Sequence, residues 1–320
     1  MLQAMQHLLH SLAAQSRMAF MDCATLTGEI TRSIGTLPGE MAAAARYVLE
    51  NPGDVALLSM REQARRAGVR PWTMTRLAKR FGLDGYETMR RLHGEALKER
   101  ALGFSGKAGA QVARQRLAGG RALAAEIAST AARQITSLGE PATAGTLAEV
   151  AAVMARARRI YCLGLRSSRP VAEHLCYMLS FLGEKAQSLD FQGGTGLDPL
   201  RFATDEDVFF VATVAPYTRA SVEAARHAQA QGLTVIALTD SAASPIARLA
   251  RHVILVGTES PSFFHAITPA FAAVEILAAL VAGEGGEAAL DAIARTERQL
   301  SELNIHVLEH AVVRRPERAQ

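Results

Sequence analysis

The sequence predicts a multidomain chain: an all-α amino-terminal domain containing a helix-turn-helix, then an α/β domain of three layers built on a five-stranded parallel sheet. Three observations predict it. The 320 residues suffice for two ordinary domains, each able to bury its own core. From Leu37 to Leu97 apolar positions recur at three- and four-residue spacings, the period of a helix. From Thr146 onward, short β-rich runs alternate with helical ones, as where helices cover both faces of a parallel sheet.

Composition excludes several classes. With 49% hydrophobic and 21% charged residues the chain carries enough apolar surface to offset its conformational entropy, so it is neither disordered nor collagen-like. Its three cysteines (Cys23, Cys162, Cys176) are far apart in sequence, with no CxxC and no nearby histidine pair, so no disulfide framework, no metal site and no cofactor is expected. A reducing cytoplasm is the expected location. Residues 1–28 read as an extension, and Met1 to Asp22 lacks the charged start and clean apolar run of a signal peptide. Pro269 to Gly283 is shorter than the ~20 residues of a spanning helix and carries Glu275, so it reads as a buried helix and no membrane partner is expected.

The net charge of +4 is too small to imply a polyanion partner, but its distribution is uneven. Between Ser59 and Arg80 stand seven cations (Arg61, Arg65, Arg66, Arg70, Arg76, Lys79, Arg80) and one acid, Glu62, a net of +6 that leaves −2 for the rest. A confined basic block of this kind suits phosphate binding, and equally a solvated arginine face.

Four short helices are predicted in the first domain. The first runs from Pro38 to Glu50 and stops at Asn51-Pro52, because proline disfavours helix in the residue before it. The second starts at a capping box of Ser59 and Glu62 and ends at Gly68. Pro71 opens the third, which runs to Phe81, and a second box of Asp84 and Glu87 opens the fourth, weakened near Gly94. The second and third helices have helix-turn-helix spacing, with the third placed to enter a major groove. Met74, Leu77 and Phe81 face the core in this reading, leaving Trp72, Thr73, Arg76, Lys79 and Arg80 outside. Thr73 and Arg76 then reach base edges, while Lys79, Arg80, Arg61 and Arg65 meet phosphates. A plain helical bundle is the alternative.

Four stretches, Leu49-Glu50-Asn51-Pro52, Leu58-Ser59-Met60-Arg61-Glu62, Ala67-Gly68-Val69 and Phe81-Gly82-Leu83-Asp84-Gly85-Tyr86, resemble the amino-terminal domain of the MurR/RpiR family of bacterial transcriptional regulators over about 65 residues. Arg70 departs from the family's usual cap before Pro71, so the helix start is looser or Arg70 touches phosphate. Trp72 is unusual too, and either wedges against the duplex or packs on Arg76, the reading preferred here.

Glycine-rich residues 103–121 read as a linker that helix can cross. Beyond it, helical runs at Ala122 to Leu138 and Thr146 to Arg156 precede strands at Ile160 to Leu163, Ala186 to Leu189, Val208 to Val214, Leu233 to Leu238 and Val253 to Val256. Ligands of such sheets sit beyond the carboxyl ends of the strands. There Gly164-Leu165-Arg166-Ser167-Ser168 turns into a helix, and Arg166, Ser167 and Ser168 suit an anion at the helix start, or simply cap it. Thr213, Tyr217, Thr218 and Arg219 follow the third strand, and Ser262 and His265 lie in the last loop. Asp205-Glu206-Asp207 reads as a solvated turn, and Gly193-Gly194-Thr195-Gly196 lacks the GK[ST] ending of a phosphate loop.

The Gly164 to Ala172 turn, the Thr213 to Arg219 loop, and Thr239-Asp240 with Ser244-Pro245-Ile246-Ala247 resemble the SIS (sugar isomerase) domain, a phosphosugar-binding fold, from Leu147 to Val281. The resemblance implies phosphate contacts at Ser168, Thr213 and Thr218; Arg166 replaces a common glycine and Ala215 a usual serine. Together the resemblances imply a helix-turn-helix domain over 29–102, a SIS domain over 122–304 and a tail over 305–320. The function implied is a non-enzymatic regulator, a homodimer or homotetramer that binds double-stranded operator DNA and senses a phosphorylated sugar or sugar acid. A sugar-phosphate isomerase and a dimerising scaffold are the alternatives.

Overall fold

The computed structural model describes residues 23–101, 103–191 and 194–306. Two compact units divide the described residues: residues 23–144 with 240–244 and 255–269, and residues 145–239 with 245–254 and 270–306.

The first unit is helical: α1 (Cys23–Ser33), α2 (Gly39–Glu50), α3 (Pro52–Leu57), α4 (Met60–Arg66), α5 (Pro71–Arg80), α6 (Tyr86–Ala101), α7 (Gly103–Ala118) and α8 (Gly120–Leu138). Two helices escape the sequence reading. All of the expected extension's described part, residues 23–28, lies in α1, whose Leu26 and Ile30 are fully buried. Pro52, read as a stop, also starts α3, because proline's missing amide hydrogen costs nothing at a first helical position. Helix α6 begins at Tyr86 and continues through Gly94. The expected linker is α7 itself, parted from α8 by Gly119 at φ +83°.

One core joins α1 to α6, with Met41, Val48, Val55, Met74, Leu77, Tyr86 and Met89 at its centre. Buried in it is Gln63, whose amide nitrogen donates to the carbonyls of Val55 (3.2 Å) and Leu58 (2.8 Å) and whose oxygen accepts the Tyr86 hydroxyl. One side chain thus ties α3, α4 and α6, a polar anchor invisible in the apolar periodicity.

The second unit contains α9 (Pro141–Arg156), β1 (Ile160–Gly164), α10 (Arg169–Ser180), β2 (Ala186–Ser188), β3 (Val208–Ala212), α11 (Arg219–Ala230), β4 (Thr234–Thr239), β5 (His252–Leu255), α12 (Thr268–Glu284) and α13 (Gly286–Glu302), apart from the few residues at element ends noted above. The five strands form a parallel sheet in the order β2-β1-β3-β4-β5. Strands β1 and β3 pair from Ile160↔Val208 to Gly164↔Ala212. Tyr161, Leu163, Phe209, Val211, Val235 and Ala237 share one face with Ala224, Ala225 and Ala228 of α11. The alternate residues face the other way, where α10 packs. Sequence had read Asp205-Glu206-Asp207 as solvated, yet Asp207 is buried and takes a two-pronged salt bridge from Arg158 (3.0 and 2.6 Å) and the Thr204 amide (2.8 Å). Helix α12 covers the apolar stretch expected to be buried, and its Glu275 meets His174 at 3.3 Å. Among the described residues no single helix is long and apolar enough to cross a membrane, and no cluster suited to a metal ion occurs.

Candidate functional site

Helices α4 and α5 are joined by a tight turn with a definite chemistry. Gly68 adopts φ +66°, open only to glycine without strain, so its amide reaches the Arg65 carbonyl (3.2 Å) and that of Val69 reaches Ala64 (2.9 Å). The same pair of bonds closes α5 through Gly82 and Leu83. At the start of α4 the Ser59 hydroxyl accepts the Glu62 amide at 3.3 Å, half of the expected capping box. The other half is absent because the Glu62 carboxylate turns outward and takes Arg65 (2.7 and 2.8 Å) and Arg66 (2.9 Å). Those hydrogen bonds hold its carboxyl down at about 2. Arg66 also meets Asp54 at 2.8 Å.

The outer side of α5 is Trp72, Arg76, Lys79 and Arg80, all exposed. The Arg76 guanidinium lies 4.8 Å from the Trp72 ring centre and that of Arg70 6.0 Å, the packing preferred from sequence. Among the described residues Arg61, Arg76, Lys79 and Arg80 form no ion pair, whereas Arg65 is engaged by Glu62 and Arg70 approaches Glu40 at 3.4 Å. Thr73 departs from the expectation. It is buried and its hydroxyl donates to Glu40 at 2.9 Å, so it does not lie on the outer face. The signal was present: Thr73 stands four residues before Leu77, hence one turn below it on the inward side. Arg70 caps α5 with its backbone only, and the Thr73 to Glu40 bond braces that first turn instead.

In the second unit the strand order reverses between β1 and β3, which leaves a crevice beyond their carboxyl ends. The turn after Gly164 and the loop after Ala212 leave adjacent strands there, because these two residues are register partners. Gly164 is required by close approach: a Cβ would stand 2.2 Å from the Ser168 carbonyl oxygen and 2.9 Å from the Ala172 Cβ. Arg166 adopts φ +54°, the left-handed region that favours glycine, and projects into solvent. Ser167 is half-buried; Ser168 is buried at the start of α10 without capping it through its side chain. Thr213 is buried with its amide on the Leu238 carbonyl (3.0 Å). Tyr217 and Thr218 are half-buried, Thr218 stands before the first turn of α11, and Arg219 opens that helix exposed. The sheet end therefore gathers Arg166, Ser167, Ser168, Thr213, Tyr217, Thr218 and Arg219 on two neighbouring connections. Sequence reasoning missed Ser221, fully buried in the first turn of α11, whose hydroxyl has no hydrogen-bond partner among the described residues.

Ser262 and His265 belong to the first unit, in a loop clasped by α7 and α8. The Ser262 hydroxyl accepts the Phe264 amide (3.3 Å), and the Phe263 amide donates to Gln111 (2.8 Å). Gln134 donates to the Glu259 carboxylate (2.8 Å). Phe264 stacks on Phe104 (5.1 Å between centres) and on His265 (4.3 Å). Burial, then the Lys107 charge, push the imidazole below its usual range against the opposing pull of Asp240.

Residues 153–280 match the SIS domain model. The sugar isomerase domain of an RpiR transcription factor from Sphaerobacter thermophilus is 26% identical, with a TM-score of 0.51 over 55% of this chain and 98% of that one. The Vibrio vulnificus NanR protein complexed with ManNAc-6P is 21% identical, with a TM-score of 0.52 over 87% of this chain and 98% of that one, a likeness of fold. No curated protein matches the chain. The α/β part of this chain is a SIS domain over residues 153–280, preceded by a helical amino-terminal region.

Proposed function

We propose that the chain is a cytoplasmic transcription regulator of the MurR/RpiR type, in which α5 enters the major groove of operator DNA and the SIS domain senses a phosphorylated sugar or sugar acid. The observation that carries this reading is the outer stripe of α5. Trp72, Arg76, Lys79 and Arg80 stand exposed on the second helix of a helix-turn-helix, and the three cations form no ion pair among the described residues. Arg76, propped on Trp72, suits a guanine edge, while Lys79, Arg80 and Arg61 suit phosphates. Arg65 and Arg70 would first leave Glu62 and Glu40, and Thr73 acts by bracing the helix.

For the effector, Ser167, Ser168, Thr213 and Thr218 offer hydroxyls beside the start of α10 and α11, and Arg166 and Arg219 add charge-assisted donors. The complex of NanR with ManNAc-6P supports a phosphorylated sugar as the class of ligand. Neither step needs a catalytic base, and turnover of aldose or ketose phosphates is expected to be absent. Two recognition helices set about one DNA turn apart require a homodimer or homotetramer.

The test uses duplexes selected from a random pool by the full chain. The double variant Arg76→Ala/Lys79→Ala should lose at least about tenfold in affinity, because charged contacts to phosphate and base are removed, with an unchanged unfolding midpoint. Unaltered binding would overturn the DNA reading. A thermal-shift panel of phosphosugars and sugar acids tests the other half: an effector at 100 times its Kd adds about 2.7 kcal/mol.

A further inference from the structure

Trp72 is a large apolar side chain set among cations on the face of the chain proposed to meet DNA. Pro71 and Trp72 open α5, and the residues at the start of a recognition helix are those that reach base edges. Trp72 keeps 46% of its surface exposed, although the guanidinium of Arg76, one turn later, lies over its ring at 4.8 Å and that of Arg70 at 6.0 Å. The turn that carries it is tied down. Buried Thr73 donates to Glu40 on α2 at 2.9 Å, and the same carboxylate meets Arg70 at 3.4 Å. A ring under a guanidinium is also barred from sliding between two bases, which requires both of its faces. What it retains is an apolar surface beside a cation. In a major groove the matching partner is the 5-methyl group of thymine, the one apolar group that base pairs present there.

We propose that Trp72 is a specificity-determining residue that reads the 5-methyl group of a thymine directly beside the guanine met by Arg76; the inference rests on the proposed placement of α5 in the groove. The spacing follows from the pair of side chains. The Arg76 guanidinium carbon and the Trp72 ring centre are 4.8 Å apart and successive base pairs about 3.4 Å, so the two side chains address neighbouring pairs. Arg76 offers a charge-assisted fork to O6 and N7 of guanine, and the indole excludes water from the adjoining methyl group. Charge complementarity selects DNA over an apolar partner for this surface: Arg76, Lys79 and Arg80 on the same helix, with Arg61 on α4, are exposed without an ion pair among the described residues.

The test takes the duplex that the full chain selects from a random pool and replaces each thymine in turn by deoxyuridine, which differs only in lacking the methyl group. At one position per half-site, in the base pair adjoining the guanine whose preference Arg76→Ala abolishes, a single replacement should weaken wild-type binding about fourfold, the worth of one buried methyl group. Trp72→Ala should bind the thymine and deoxyuridine duplexes equally, with an unchanged salt slope because no cation is lost. Wild-type indifference to deoxyuridine throughout the half-site, a methyl effect only away from that guanine, or a discrimination that survives in Trp72→Ala would each overturn the proposal. Any of these would leave the loss caused by Arg76→Ala/Lys79→Ala in place, so the placement of α5 against DNA would stand while the methyl readout fell; a chain that selects no duplex would remove both.

Discussion

Replacing glycine by alanine should have opposite effects at two positions of the SIS-containing unit. At Gly164 the new Cβ would stand 2.2 Å from the Ser168 carbonyl oxygen and 2.8 Å from its carbon, both backbone atoms that cannot rotate aside. Overpacking of this kind costs about 1–3 kcal/mol. The lower entropy of the unfolded alanine chain returns about 0.4–1 kcal/mol, so a net loss of up to about 2.6 kcal/mol is expected. Gly145 sits exposed inside α9 with nothing within 4 Å of its would-be Cβ. There the helix propensity of alanine should add about 0.8–1 kcal/mol. Denaturant unfolding of both variants, followed by effector titration, measures the difference; Gly164→Ala should also lose affinity because the Ser167-Ser168 turn must shift. A Gly164→Ala chain as stable as Gly145→Ala would refute the close-approach argument.

Further outcomes follow from single contacts. Thr73→Val keeps the buried shape but loses the bond to Glu40, so unfolding should show a loss of about 1 kcal/mol and base preference should stay the same. Arg166→Gly relieves a left-handed φ and should stabilise the chain by about 1 kcal/mol while weakening effector binding in the same titration. Glu62 has its folded pKa depressed to about 2, so its stabilising effect is complete above its ordinary value of 4.5 and fades as pH falls toward 2. Glu62→Gln should therefore flatten unfolding stability against pH within that window, and an unchanged profile would contradict the role given to Arg65 and Arg66.

The parts legible in sequence were those set by local rules. Gly68 and Gly82 marked the ends of α4 and α5 because the bonds that close those helices need a left-handed residue. Strands β1, β3 and β4 declared themselves through continuous apolar runs, as expected of the centre of a sheet buried on both faces. What sequence obscured depended on partners distant in the chain. Thr73 looked polar and therefore external until Glu40 supplied an acceptor, and Asp207 looked solvated until Arg158 came beside it. Gln63 is polar in an apolar core, where the Val55 and Leu58 carbonyls and the Tyr86 hydroxyl satisfy it. Helix α7 was masked by Gly106 and Gly109, which cost helix propensity without forbidding helix.

The salt dependence of duplex binding tests the central claim most directly. Each phosphate neutralised contributes about −0.9 to the slope of log affinity against log salt, so three phosphate contacts per protomer, by Arg61, Lys79 and Arg80, predict about −5 for a dimer. Lys79→Ala should reduce that magnitude by about 2 in a dimer and leave base preference intact, whereas a slope near zero, or one unaltered by Lys79→Ala, would contradict the placement of α5 against DNA.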